Sequence, residues 1–421
     1  MEPTIRPSAP VRGAADDPGT SASHALLTPE RLAELARELA PGTVARRRDF
    51  HMWPELSFQE VRTATIVAGE LGDLGLEVQT GLARTGVMGT LRGGKPGPTV
   101  LVRADMDALP IDERNTHGFV SRAPGVMHAC GHDAHAAMLL AAARILAGHQ
   151  DQLHGNVRFV FQPAEEGPGG AELMIEAGCL ENPGVDAIIG FHIWADLPVG
   201  IIGIRSGPLM ASSDEVRLTI TGHGGHGADP HLSIDAMLVA AHVLVGMQTI
   251  VSREIDPLIP AVITFGKAES GRGHNIIAHE AILSGTVRTF DEALRKTMPQ
   301  RIGRLAAGIA SAYGATCKVQ YSPQYPVTVC DRQMCELVGR AARTVVKPEQ
   351  VVEAEPTMGS EDIAYFLQER PGCYFLLGAA NPDKGIDKPH HHPEFDIDED
   401  ALPIGVQIIV RSVLDFLTSR S

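Results

Sequence analysis

The sequence predicts an α/β protein with a mixed, largely parallel sheet flanked by helices, into which a smaller α+β unit is inserted. Two observations predict this class. Four apolar runs, Thr99 to Arg103, Val157 to Phe161, Val185 to Phe191 and Cys373 to Leu377, lack the alternation of a half-exposed strand and read as strands buried on both faces. Between Ser212 and Tyr325 the order becomes strand, helix, two strands, helix, strand, which is the order of a ferredoxin-like sandwich. Because the chain then returns to helix and strand segments that complete the first sheet, residues 28–211 and 326–421 are expected to form one domain and residues 212–325 an inserted one.

The elements follow in order. Residues 1–27 are rich in Pro, Ala, Ser, Gly and Asp, without a basic-then-apolar signal pattern, and read as a disordered leader. Thr28-Pro29-Glu30 caps a helix carrying Leu32, Leu35, Ala36 and Leu39 on one face, and Pro41-Gly42 is expected to end it. A helix over about Phe58 to Leu74 leads through Gly75 to strands at Glu77 to Thr80 and Gly86 to Leu91. The alanine-rich stretch Ala134 to Ala147 is helical. In the insert, strands are expected at Glu215 to Thr221, Ala261 to Gly266, Ala281 to Val287 and Thr316 to Tyr321, with helices at Ser233 to Val251 and Asp291 to Tyr313.

A chain of 421 residues can bury a large core in two domains. Its 36 basic and 51 acidic residues give a formal charge of −15, which argues against a nucleic-acid surface and against attraction to anionic membranes. No run reaches 18 uninterrupted apolar residues. The six cysteines, Cys130, Cys179, Cys317, Cys330, Cys335 and Cys373, are scattered without a disulfide framework, so a reducing compartment, the cytoplasm, is expected.

Chemistry concentrates in Met127-His128-Ala129-Cys130-Gly131-His132-Asp133-Ala134-His135, which holds a thiol, three imidazoles and a carboxyl group. Such donors suit a transition metal, although Cys130 could also be a nucleophile activated by His132 or His135, or the segment an ordinary polar loop entering a helix. The buried runs end beside Asp105 and Asp107, Glu165-Glu166, His192, and a loop reaching His390-His391-His392. Since ligands bind outside the carboxyl ends of strands in such sheets, these segments are expected to converge with Cys130 and His132. Cys130, His132, Glu166, His192 and His391 would serve two ions with three contacts each if a thiolate bridges, leaving room for water whose pKa falls to about 7. In an extended segment Glu165 and Glu166 would leave the backbone in opposite directions, so Glu166 could ligate while Glu165 acts as general base. The plain alternative for this pair is a solvated turn. Asp107 is expected to orient an imidazole, with a capping or turn role as its alternative. His226, in the glycine-rich turn Gly222 to Ala228, can be carried toward a substrate, or its loop is merely flexible. Arg288 can pair with a substrate carboxylate or with a surface acid.

The combined motifs resemble the aminoacylase and carboxypeptidase family of two-metal amidohydrolases, in the branch of hippurate hydrolases and indole-acetyl-amino-acid hydrolases. The likeness runs from His51-Met52-Trp53-Pro54-Glu55-Leu56-Ser57 through Arg103-Ala104-Asp105-Met106-Asp107-Ala108-Leu109-Pro110, the Cys130/His132 cluster and Phe161 to Gly167. It continues through His223 to Ala228, Thr357 to Asp362 and His391 to Asp396. Ala278 replaces a usual proline and His279 a common acidic residue. The broader family often has histidine where Asp105 stands, so Asp105 is not assigned as a ligand.

The resemblance implies two divalent ions per subunit, zinc or manganese favoured over cobalt or nickel. Cys130 would bridge them, with Glu166 and His391 on one and His132 and His192 on the other. Glu165 would be the base for attack by metal-bound hydroxide on an N-acyl amino acid or related peptide-like conjugate. It further implies a homodimer or higher oligomer through the inserted domain, with His226 reaching across to stabilise the oxyanion and Asn275 helping to bind substrate. A cysteine-nucleophile amidase and a non-catalytic metal-dependent binding protein are the alternatives. The second would have lost a ligand or Glu165, and none is missing.

Overall fold

The computed structural model describes residues 27–419, so the expected leader lies outside the described residues but for Leu27. An eight-stranded sheet carries the larger part of the molecule, in the order Glu77–Leu82, Gly86–Arg92, His154–Gln162, Lys95–Asp105, Ala187–Pro198, Gly372–Ala380, Ile202–Ile204, Val351–Glu353. The four strands built from the apolar runs are adjacent and mutually parallel, and antiparallel pairs lie on either side of them. Their side chains are buried on both faces; helices Pro29–Met52, His132–Ala147 and Ala401–Ser419 pack on one another and on the sheet as one layer, and helices Ala171–Glu176 and Ile363–Glu369 pack together, the latter also against strand Ala187–Pro198.

The strands Asp214–Thr221, Ala261–Ser270, Glu280–Thr289 and Thr316–Pro323 form a separate antiparallel sheet with the first and third central. Helices Ala236–Thr249 and Glu292–Ala312 cover it, and the apolar core between them is distinct from that of the large sheet. This is the ferredoxin-like arrangement.

Three local expectations are corrected. Helix Pro29–Met52 is continuous through Pro41. A mid-helix proline removes one backbone bond, but Arg47, Phe50 and His51 beyond it are buried against the core and hold the second half in line. The helix expected from Ser233 begins at Ala236, where the Asp235 side chain accepts from the amides of Met237 and Leu238, and a π-helical turn, Ile250–Glu254, extends it. His192 lies within strand Ala187–Pro198 rather than at its end. Pairing with Lys95–Asp105 stops at Arg103 opposite Gly190, so His192 lies past the last paired residue, level with Asp105 at that strand's end, while still paired with Leu376 on the other side.

Candidate metal centre

The loop carrying Cys130 turns at Gly131, whose φ of 95° suits glycine and whose missing Cβ would sit 3.2 Å from that of Ile193. Helix His132–Ala147 starts immediately after, placing His132 in its first turn. The His132 Nδ1–H donates to the Asp107 carbonyl (2.9 Å), which makes Nε2 the nitrogen that can bind an ion once it gives up its proton. That Nε2 is buried and has no hydrogen-bond partner. It lies 3.9 Å from both Glu165 Oε2 and Glu166 Oε1.

Glu165 and Glu166 occupy a turn, not the extended segment expected, so their directions are set by the turn rather than by strand alternation. Ala164, at φ 57°, opens it, and its amide donates to Glu60 Oε1 (2.9 Å). The Asp107 carboxyl group holds it closed, Oδ1 accepting from the Glu165 amide and Oδ2 from the Glu166 amide (both 3.0 Å) and from Ser57 Oγ (2.8 Å). Asp107 thus orients His132 mainly through its carbonyl and the glutamate pair through its side chain. The Tyr325 hydroxyl lies against the Glu165 and Gly167 carbonyls at 2.7 and 2.9 Å.

On the strand side, the His192 Nδ1–H donates to the Ile193 carbonyl, and Nε2 faces Cys130 Sγ at 3.4 Å. Burial, with His135 and His390 nearby, holds the His192 ring well below its ordinary pKa, in the neutral form a metal needs. His391, at φ 65°, presents Nε2 to Glu166 Oε1 at 3.0 Å. The donor atoms of Cys130, His132 and His192 lie within 4.8 Å of one another, as do those of Cys130, Glu166 and His391. Two triads sharing one thiol match the donor chemistry of a pair of borderline divalent ions.

His135 is not free to join them. Its Nδ1–H donates to Asp105 Oδ1 (2.6 Å), and its Nε2 accepts from the Ile193 amide (2.8 Å). The other Asp105 oxygen accepts from Arg103 (2.6 Å), a fully buried guanidinium that also donates to Gln162, Glu361 and Asp362. This network fixes the floor of the site.

The electrostatics also ask for cations. Burial, then Glu361 and Glu166, hold the Glu165 carboxyl well above its ordinary pKa, and burial with Glu166 and Glu165 does the same to the Cys130 thiol. Burial opposes a charged His132, yet Asp105 and Asp107 outweigh it and raise the ring to about 10. Metal binding would reverse each state, releasing protons from the ligands.

A cavity of about 350 Å³ opens over these groups, lined by Cys130, Glu165, Glu166, His192, Arg288 and His391 among others. Arg288 donates to the Met358 carbonyl (2.8 Å). His226 and Asn275 are not among the lining residues. They lie together on an exposed two-stranded ribbon, where His226 pairs with Ile276 and the Gly227 amide donates to the Asn275 carbonyl. Trp194, Tyr325, Ser360 and His390 also line the cavity, and the sequence reading assigned them no role. For Trp194 a signal existed, since it stands two residues beyond His192 on one strand and so on the same face.

The model of peptidase family M20/M25/M40 matches residues 101–415. The thermostable carboxypeptidase 1 of Saccharolobus solfataricus is 42% identical over 380 residues, covering 89% of this chain and 95% of its own. An N-acyl-L-amino acid amidohydrolase of Geobacillus stearothermophilus is 47% identical over 300 residues, 71% of this chain and 80% of its own. A Bacillus subtilis crystal structure, described as a dinuclear metal binding peptidase from the M20 family, superposes with a TM-score of 0.79 at 35% identity, covering 91% of this chain and 99% of that one. With the family match spanning most of the chain and these relatives 71% to 91% of it, the chain belongs to peptidase family M20/M25/M40, in its amidohydrolase branch, and is a metallo-hydrolase.

Proposed function

We propose that the chain hydrolyses the amide bond of N-acyl amino acids or related peptide-like conjugates, with two divalent ions held by Cys130, His132, Glu166, His192 and His391. The sharing of the Cys130 thiol by the two donor triads carries this reading. Cys130 would bridge, with Glu166 and His391 on one ion and His132 and His192 on the other; the donor set suits zinc or manganese, with cobalt or nickel also compatible. When bound, the ions supply Lewis acidity at the substrate carbonyl and an acidified water.

The chain's own groups do the rest. Glu165, with no ligand role, takes the proton of the attacking water and returns it to the departing amine. Asp107 and Tyr325 keep the turn in place so that this carboxyl meets the cavity. Arg288 faces the same cavity and is suited to a substrate carboxylate, while Trp194 and Met210 offer apolar surface to an acyl group. The relatives named carboxypeptidase and N-acyl-L-amino acid amidohydrolase fit a substrate of this kind.

His226 and Asn275 would serve a neighbouring subunit. Leu232, Met237, Leu238, Val245 and Ile276 are exposed apolar residues of the same inserted region, which supports a homodimer through it. All six cysteines are free, in keeping with a cytoplasmic protein.

The test is release of amino acid from a panel of N-acyl amino acids. Glu165→Gln is expected to lower kcat by about 10²- to 10⁴-fold or more with metal content unchanged. Retained turnover in that variant would sink the general-base assignment. Activity that survives chelation but not alkylation of Cys130 would favour the cysteine amidase instead.

A further inference from the structure

A second set of metal-type donors lies outside the cavity. His51, buried at the end of helix Pro29–Met52, donates through Nδ1 to Asp133 Oδ2 (2.8 Å) and turns Nε2 toward Glu113 Oε1 at 3.1 Å. His117 Nε2 stands 3.5 Å from the same Glu113 oxygen and 3.8 Å from Asp396 Oδ2. The donor atoms of His51, Glu113 and His117 all lie within 4.8 Å of one another. In a tetrahedral site with metal–donor distances near 2.0–2.1 Å, donors stand about 3.4 Å apart, close to the two short edges here.

Three further observations point to a cation. Both ring nitrogens of His117 are shielded from solvent without a hydrogen-bond partner, and the ring is fixed by stacking on Phe119 at 3.7 Å. The His51–Asp133 contact is the carboxylate–imidazole arrangement that orients metal-ligating histidines. Three carboxyl groups, Glu113, Asp133 and Asp396, stand at the two imidazoles, and of the arginines only Arg47 is bonded to any of them, to Asp133 and Asp396, so negative charge gathers on the donor side.

We propose that His51 Nε2, Glu113 Oε1 and His117 Nε2, with Asp396 Oδ2 within reach as a fourth donor, form a closed structural site for a divalent ion of zinc type. None of these side chains lines the cavity. The site ties together the segments that position the candidate centre: Asp133 follows His132, and the Asn115 side chain donates to the Phe395 carbonyl (2.8 Å) in the loop after His391. An ion there would brace both.

The experiment is zinc analysis of the full chain after zinc loading and desalting. Wild type is expected to hold one equivalent per subunit more than His117→Leu and one more than Glu113→Gln. Cys130→Ala, which removes the thiol shared in the cavity, should keep one equivalent that the double variant Cys130→Ala/His117→Leu loses. This arm separates the site from the fate of the cavity ions. If Glu113→Gln does not fold, His117→Leu still decides, because it deletes a ring that makes no hydrogen bond. Equal zinc content in wild type and His117→Leu, or a Cys130→Ala protein with no zinc at all, overturns the assignment.

Discussion

Tyr325 makes the residue-scale argument. Its single hydroxyl proton is shared between the carbonyls of Glu165 and Gly167, so one phenol steadies the turn bearing the proposed base. Tyr325→Phe removes that hold without opening a cavity. We expect kcat to fall about 10-fold through misplacement of Glu165, with metal content unchanged, in steady-state assays beside metal analysis. An unchanged kcat would show that Asp107 alone suffices. The contrast with Cys130 and His132 explains what a reader of the sequence can find. A thiol and imidazoles packed within nine residues announce their chemistry by type, whereas a tyrosine acting on backbone carbonyls some 160 positions away carries no local mark. His226 is legible as an unusual loop histidine, yet within one subunit it is not among the residues that line the cavity.

Among the elements, helix Pro29–Met52 is the instructive one. A local rule ends it at Pro41, at a cost of about 3 kcal/mol for continuing. Burial overrides the rule, because Arg47, fully enclosed, donates to Asp133 (2.9 Å), Asp396 (2.9 Å) and Glu399 (3.2 Å), a fit available only if the helix runs on. No such long-range partner is visible from the proline's neighbours in the chain. The parallel strands were readable for the opposite reason: burial on both faces imposes a continuous apolar run that needs no partner to recognise. Asp133→Asn should destabilise the protein by about 3 kcal/mol in urea unfolding at neutral pH, since it leaves Arg47 and His51 short of a buried countercharge. Burial works against the charged Asp133, but Arg47 and His51 overcome it and hold its pKa far below 3.8. A depressed carboxyl contributes in full above its unfolded value, and the contribution drains away as the pH falls below it. The gap between wild type and variant should therefore narrow in acid, and a constant gap down to pH 2 would refute the charge argument.

For the whole molecule, the proposal that His226 serves a partner's site has an arithmetic consequence. Glu165→Gln and His226→Ala homodimers should each be nearly inactive. After subunit exchange, half of the dimers are mixed and each contains one site with both groups intact, so about a quarter of wild-type activity should return. If His226 acts within its own subunit, every site in the mixture keeps one defect and nothing returns. The second, separate sheet was legible because the order of strands and helices changes between Ser212 and Tyr325. The ribbon that joins His226 to Ile276 was not, since two residues per strand leave no periodicity to detect.

The separation of the donors along the chain also gives the centre a history. Cys130 and His132 leave the ribosome early, together with the helix that holds them, and would meet soluble metal with only part of their partners made. His391 cannot contribute until synthesis has passed residue 391, after the whole inserted domain has been available to fold. On the proposed ligand set, a partial site exists for most of translation and the complete one only afterwards. On that order of events, the metal supply of the compartment where folding finishes would join ligand type and geometry in deciding which ion fills it.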